Sequence, residues 1–180
     1  MKIDLSQLDV NVRQWLAASR QQILLAMQSP LTVHTKSSRK DLVTNVDRMN
    51  QQFLVTQFLA AYPEAHIEGE EGHNATLDRL KGLVFIIDPI DGTMNFVKQK
   101  ANFAVMIGVY LDGAPLYGAI LDVWRDELIV GGSDFPLMLN NQSLTHPADV
   151  PLADGLLGVN GPMLINNRLH VAEIALASSG

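Results

Sequence analysis

Residues 83–97, LVFIIDPIDGTMNFV, restrict this chain more than any other stretch. Leu83 to Ile87 is a short apolar run rich in Val and Ile, and it reads as a buried strand. The acids begin where that run stops. Asp88 stands at the strand end, and Pro89 bars helix at Asp88 and brings no amide donor. Asp91 precedes Gly92 and Thr93, a pairing that favours a tight turn into a short helix. Two carboxylates therefore flank a rigid proline corner beside the free N–H groups of a helix start. Those N–H groups attract phosphate, whereas the carboxylates repel it. A divalent cation between them removes the conflict, so the stretch reads as half of a metal-dependent phosphate site. Taken alone, Asp-Pro-x-Asp-Gly is an ordinary turn; the remaining acids of the chain carry the rest of the case.

Composition narrows the field. A length of 180 residues allows one substantial core, or one domain plus part of another. With 47% hydrophobic and 18% charged residues the chain is a folded domain rather than a disordered one. A formal net charge of −6 without a basic stripe argues against nucleic acid as a partner. The first twenty residues lack a signal-type apolar core and no run is long enough to span a bilayer, so the expectation is no membrane partner and a cytoplasmic location. Cysteine is absent, which excludes disulfides, zinc thiolates and cysteine nucleophiles.

Along the chain, Val10 to Met27 has helical apolar spacing at Val12, Trp15, Leu16, Ile23, Leu24 and Met27, and Ser29-Pro30 ends it. A polar and basic loop follows at Lys36 to Lys40. Asp41 to Asp47 opens a second helix that continues through Phe58 and Leu59 to Tyr62-Pro63. Within it Thr44 and Asp47 have the spacing of a capping box, which by itself accounts for both residues. Ala65 to Gly69 is extended and runs into Glu70-Glu71-Gly72. Beyond the central stretch, Ala104 to Leu111, Leu116 to Val123, Glu127 to Val130 and Phe135 to Leu139 read as strands, with Asp112-Gly113 as a hairpin signal. The unbroken AVMIGVYL of the first of these predicts a central strand covered on both faces. Leu156 to Val159 reads as a strand and Arg168 to Ala177 as a helix. The pattern predicts a layered α/β (α+β) fold, with residues 1–150 as a site-bearing domain and 151–180 as the start of an incomplete second one.

These residues together resemble the inositol monophosphatase family of magnesium-dependent, lithium-sensitive phosphatases. The likeness rests on Asp41-Leu-Val-Thr44-Asn-Val-Asp47, Gly69-Glu70-Glu71 and Asp88-Pro-Ile-Asp91-Gly-Thr93-Met-Asn95-Phe96, in that order and at strand ends. The resemblance implies alternating helix and sheet layers, a homodimer, and hydrolysis of a small phosphorylated polyol or sugar such as an inositol monophosphate. It also implies that Glu70, Asp88 and the carbonyl of Ile90 hold a first Mg²⁺. Asp88 would bridge to a second, which Asp91 also binds, and Glu71 would support the shell or a third, weaker ion; Mn²⁺ could substitute. Thr93, hydrogen-bonded to Asp47, would orient the attacking water. The N–H groups of Gly92 and Thr93 would hold phosphate oxygens next to Asp91, with Lys36 in the flanking loop. Elementary electrostatics agrees: carboxylates about 4 Å apart repel by about 4 kcal/mol per pair at an effective dielectric of 20 unless cations intervene. Hard oxygen ligands suit Mg²⁺.

The sequence departs from the family pattern at one telling place. The family's C-terminal half carries a Trp-Asp motif whose aspartate completes the second metal site; here Trp124 is followed by Arg125, and no Trp-Asp occurs anywhere in the sequence. The expectation is a chain covering roughly the first two-thirds of a family member, with a complete first metal site, a deficient second one and an apolar sheet surface that favours association. An alternative is then a catalytically incomplete metal-binding or oligomerising fragment. A haloacid-dehalogenase-type phosphatase also uses an aspartate pair and a DGT turn. Its two aspartates are two positions apart, whereas Asp88 and Asp91 are three apart with proline between.

Overall fold

The computed structural model describes residues 3–35, 42–69, 81–145, 148–151 and 154–155. The chain divides into Met1–Leu144 and Thr145–Gly180, and the elements below belong to the first unit. The expected strand at Leu156 to Val159 and helix at Arg168 to Ala177 lie outside the described residues.

Helix α1 spans Leu5–Ala26. It starts well before the expected Val10, because the Asp4 carboxylate caps it by accepting from the amides of Ser6 and Gln7. Leu8, Val12, Trp15, Leu16, Ser19 and Ile23 form its buried stripe, while Val10 faces solvent. Strand β1 (Val33–Thr35) pairs antiparallel with β2 (Leu42–Thr44). This corrects the expectation of helix from Asp41. Thr44 is extended, and helix α2 begins at Asn45 and ends at Ala61. The strand is only three residues long, so its two apolar residues merge into the helical spacing that follows.

Among the described residues the main sheet has seven strands: β3 (His66–Gly69), β4 (Leu83–Asp91), β5 (Ala104–Leu111), β6 (Ala114–Asp122), β7 (Glu127–Gly132), β8 (Phe135–Leu139) and β9 (Gln142–Ser143). The spatial order of these seven follows the chain, β3 and β4 pair parallel, and the other neighbours among them pair antiparallel. Helix α3 (Thr93–Gln99) lies between β4 and β5 in sequence. Asp112 and Gly113 both adopt positive φ, 50° and 83°, which is the two-residue turn that a right-twisted hairpin requires. Asp126 and Asn140 take the same backbone region at the next corners.

One face of the sheet packs on α1 and α2. Phe85 and Ile87 of β4, Val105, Ile107 and Val109 of β5 and Ala119 and Leu121 of β6 join Leu16, Leu54 and Phe58 in one core. Phe58 bridges the layers, with ring centroids 4.8 Å from Trp15 and 4.2 Å from Phe85. The alternate residues of β5 are only half-buried, which corrects the expectation of a strand enclosed on both faces. Met106, Gly108 and Tyr110 line a shallow cavity of about 630 Å³, and Ile86, Ile120 and Ile129 stand partly exposed around it. An apolar run shows that neither face of a strand is polar; it does not say that both are covered. No helix among the described residues is long and apolar enough to cross a membrane.

Polar contacts fasten α1 to the sheet. The Tyr117 hydroxyl donates to Asp9 at 2.7 Å, and the other Asp9 oxygen accepts from Arg13 at 2.7 Å. Arg13 also donates to the Asn140 carbonyl, and Arg20 donates to the Val123 carbonyl at 2.9 Å. Burial, then the bond and charge of Asp9, push the Tyr117 phenol far above its ordinary value of 10.0. In the unfolded chain Tyr117 therefore ionises first. Above about pH 10 the unfolded state binds fewer protons than the native state, and stability falls as pH rises. Tyr117→Phe is expected to cost about 1 kcal/mol at pH 8, from loss of one hydrogen bond, and to flatten the decline above pH 10. Urea unfolding at pH 8 and pH 11 checks both.

Candidate metal and phosphate site

Strand β4 does not stop at Ile87 as its apolar run implies; it continues through the proline to Asp91. Asp88 pairs with Met106 and Asp91 with Ala104, so three steps along β4 answer two along β5. The surplus residue makes a bulge, the setting in which a strand tolerates proline. It also takes the backbone groups of Pro89 and Ile90 out of the ladder. Side chains answer them. The Asp88 carboxylate accepts from the Ile90 amide at 3.2 Å, the Pro89 carbonyl accepts from Asn50 at 2.8 Å, and the Ile90 carbonyl accepts from the Thr93 hydroxyl at 3.0 Å.

Behind the bulge stands the start of α2. Thr44 and Asp47 form a reciprocal capping box. One Asp47 oxygen accepts from the Thr44 amide at 2.9 Å and from the Thr44 hydroxyl. The other accepts from the Thr93 hydroxyl at 3.1 Å. Asp47 is only 3% exposed, and its carboxylate accepts from these donors at the N-terminus of α2. The Thr93 hydroxyl has one proton and two acceptors, Asp47 and the Ile90 carbonyl.

Gly92 joins β4 to α3 with φ of 82°. A Cβ there would lie 3.2 Å from the Asn102 carbonyl, itself held by the Asn95 amide at 3.0 Å. Glycine is needed both for the backbone angle and for this approach. Thr93 follows as the first residue of α3.

The structure thus brings Asp47, Thr93, Ile90 and Asp88 into one hydrogen-bonded cluster, with Asp91 and Gly92 directly following on the chain. Lys36, Glu70 and Glu71 lie outside the described residues. Gly69, the residue before Glu70, pairs with Ile87, the residue before Asp88. Among the described residues no three His, Asp or Glu side chains converge as a metal cluster. The donors at the bulge are all oxygens, namely the Asp88 and Asp91 carboxylates and the Ile90 carbonyl, a set that fits Mg²⁺ better than a softer ion.

A family model described as the inositol monophosphatase family matches residues 4–171. The chain belongs to the inositol monophosphatase family. Among curated relatives it is 36% identical over 163 residues to the inositol-1-monophosphatase of Bacillus subtilis, covering 91% of this chain and 62% of that protein. It is 31% identical over 137 residues to the Nus factor SuhB of Xylella fastidiosa, covering 75% and 49%. A solved IMPase/NADP phosphatase complexed with Mg²⁺ and phosphate superposes with a TM-score of 0.76 at 29% identity, over 83% of this chain and 57% of that one. The layered α/β fold expected from sequence is the fold of these inositol monophosphatases. The chain spans about half to three-fifths of the length of the relatives it matches.

Sequence reasoning missed two residues at the site, Ser19 and Asn50, both fully buried. The signal was available. Val46, Asn50, Leu54 and Phe58 recur every fourth residue on the buried side of α2, and Asn50 is the polar member of that row. Ser19 stands likewise within the buried stripe of α1.

Gly92→Ala is expected to destabilise the first unit by about 1–2 kcal/mol through its left-handed backbone alone, with further loss from the Asn102 contact. Chemical denaturation would register the change as a lower midpoint at unchanged slope.

Proposed function

We propose that the protein hydrolyses a small phosphate monoester, an inositol monophosphate or a similar polyol or sugar phosphate, with Mg²⁺ as cofactor and Mn²⁺ as substitute. The observation that carries this reading is the Thr93 hydroxyl held by the buried Asp47 carboxylate at the mouth of a carboxylate-bearing bulge. Membership of the phosphatase family, and a relative solved with Mg²⁺ and phosphate, support it.

In this reading Asp88, the Ile90 carbonyl and Asp91 hold magnesium, together with Glu70 and with Glu71 in support. When bound, magnesium neutralises phosphate charge and makes water a competent nucleophile at neutral pH. The protein's part is positional. With its proton directed to Asp47, the Thr93 oxygen keeps lone pairs free to accept a hydrogen bond from the attacking water, which aligns that water and takes up developing positive charge. Asp47 need not leave its buried setting, because Thr44 and the start of α2 hold its other oxygen. The amides of Gly92 and Thr93 receive phosphate oxygens, with Lys36 as a flanking cation. No covalent phospho-enzyme is required. A homodimer in the cytoplasm, acting on a small molecule rather than on nucleic acid or membrane, completes the proposal.

A second reading, of a metal-binding chain without turnover, is favoured by one observation: no Trp-Asp pair occurs in these 180 residues, which span 62% of the Bacillus subtilis relative. Assay of inositol monophosphate hydrolysis against Mg²⁺ concentration separates the two. The enzyme reading expects turnover that EDTA abolishes and lithium inhibits, and a Thr93→Val variant that stays folded while kcat falls about 10²-fold or more. Calorimetric Mg²⁺ binding without turnover selects the second reading. Absence of both refutes each.

A further inference from the structure

Ser19 of α1 and Asn50 of α2 are polar groups at positions where their neighbours along each helix are apolar, and both are fully buried. Such groups are retained in a core only when their hydrogen bonds are made. Here the pairing has a single direction. The Pro89 carbonyl can only accept, so the amide nitrogen of Asn50 must face it, at 2.8 Å. That leaves the Asn50 oxygen toward α1, where the Ser19 hydroxyl donates to it at 2.6 Å.

The next link is the peptide between Pro89 and Ile90. It is planar and trans, so its carbonyl and its N–H point in opposite directions. Asn50 holds the carbonyl side, and the N–H side donates to the Asp88 carboxylate at 3.2 Å. Rotation of this peptide would break both bonds together. The plane is pinned from the core on one side and orients an acid on the other.

We propose that Asn50, braced by Ser19, is a positioning residue that sets the orientation of the Asp88 carboxylate through the Pro89–Ile90 peptide, and so tunes the affinity of the site for a divalent cation. This rests on the reading that Asp88 is a metal ligand. Partners outside the ligand shell generally act in this way, by fixing the rotamer of the group that binds. A role confined to packing would lower stability and leave cation affinity alone.

Three variants test it: Asn50→Leu, which keeps the volume but removes the donor; Ser19→Ala, a smaller change that remains informative should the first fail to fold; and Leu8→Ala, a core truncation eleven residues from Ser19 along α1, roughly 16 Å away along the axis. Mn²⁺ affinity is read by electron paramagnetic resonance, and protection of the Ile90 amide by hydrogen exchange without metal. The proposal expects Asn50→Leu to weaken Mn²⁺ binding about 10–100-fold and to accelerate Ile90 exchange beyond the change in global stability. Ser19→Ala should do both to a lesser degree, and Leu8→Ala neither. Equal Mn²⁺ affinity in folded Asn50→Leu and wild type overturns the proposal, as does Ile90 exchange that merely tracks global stability in all three variants. Failure of wild type to bind Mn²⁺ refutes the metal reading itself, and the exchange data then still decide whether Asn50 holds the peptide.

Discussion

A strand that carries a proline in its interior must find other partners for the backbone groups that leave the ladder, and the architecture around β4 meets that demand. The bulge at Asp88–Asp91 displaces three polar backbone groups from regular pairing. Each is taken by a side chain of different origin: Asn50 from α2, Asp88 from the bulge itself, and Thr93 from α3. An unanswered buried carbonyl or amide costs about 1–3 kcal/mol, so the bonds from Asn50 and Thr93 tie α2 and α3 to the sheet in addition to the apolar packing. The bonds that stabilise the corner are also the bonds that aim its acids. Stability and chemistry are therefore coupled at this point.

The capping box shows the same economy of parts. Asp47 ends one role, holding the Thr44 amide at the start of α2, with one carboxylate oxygen, and begins another with the second. A short carboxylate fixed by its own helix gives Thr93 an acceptor that has almost no freedom to move. Thr93 in turn chooses between Asp47 and the Ile90 carbonyl for its single proton. Withdrawal of the carbonyl into a cation's shell would leave Asp47 as the favoured acceptor, so occupancy of the site and orientation of the hydroxyl are linked.

Much of this was legible in the residues. Thr44 and Asp47 announced a helix start, and Asp112-Gly113 announced a two-residue hairpin, because each depends on local backbone chemistry alone. The errors arose where tertiary context decides. Leu42–Thr44 reads as part of the helix that follows because three residues are too few to establish an alternating period. The apolar run of β4 ends at Ile87, where the acids begin, and only the pairing with β5 reveals that the strand carries on past it. Burial on the two faces of β5 could not be read from apolar residues that occupy both. Asn50 and Ser19 were readable as polar interruptions of apolar rows, but their partners lie 39 and 31 residues away, beyond any local pattern.

Those separations bear on how the unit comes together. From β4 to β9 each strand lies beside its successor, so most of the sheet can close through short connections of low entropic cost. The acidic corner is the opposite case: Thr93 must meet Asp47 across 46 residues, and Ser19 must meet Asn50 across 31. Its order is borrowed from helices that dock on a meander already capable of zipping up by neighbours. Topology alone therefore makes the reactive corner depend on docking of the helical layer, so that any loosening of that layer reaches it directly.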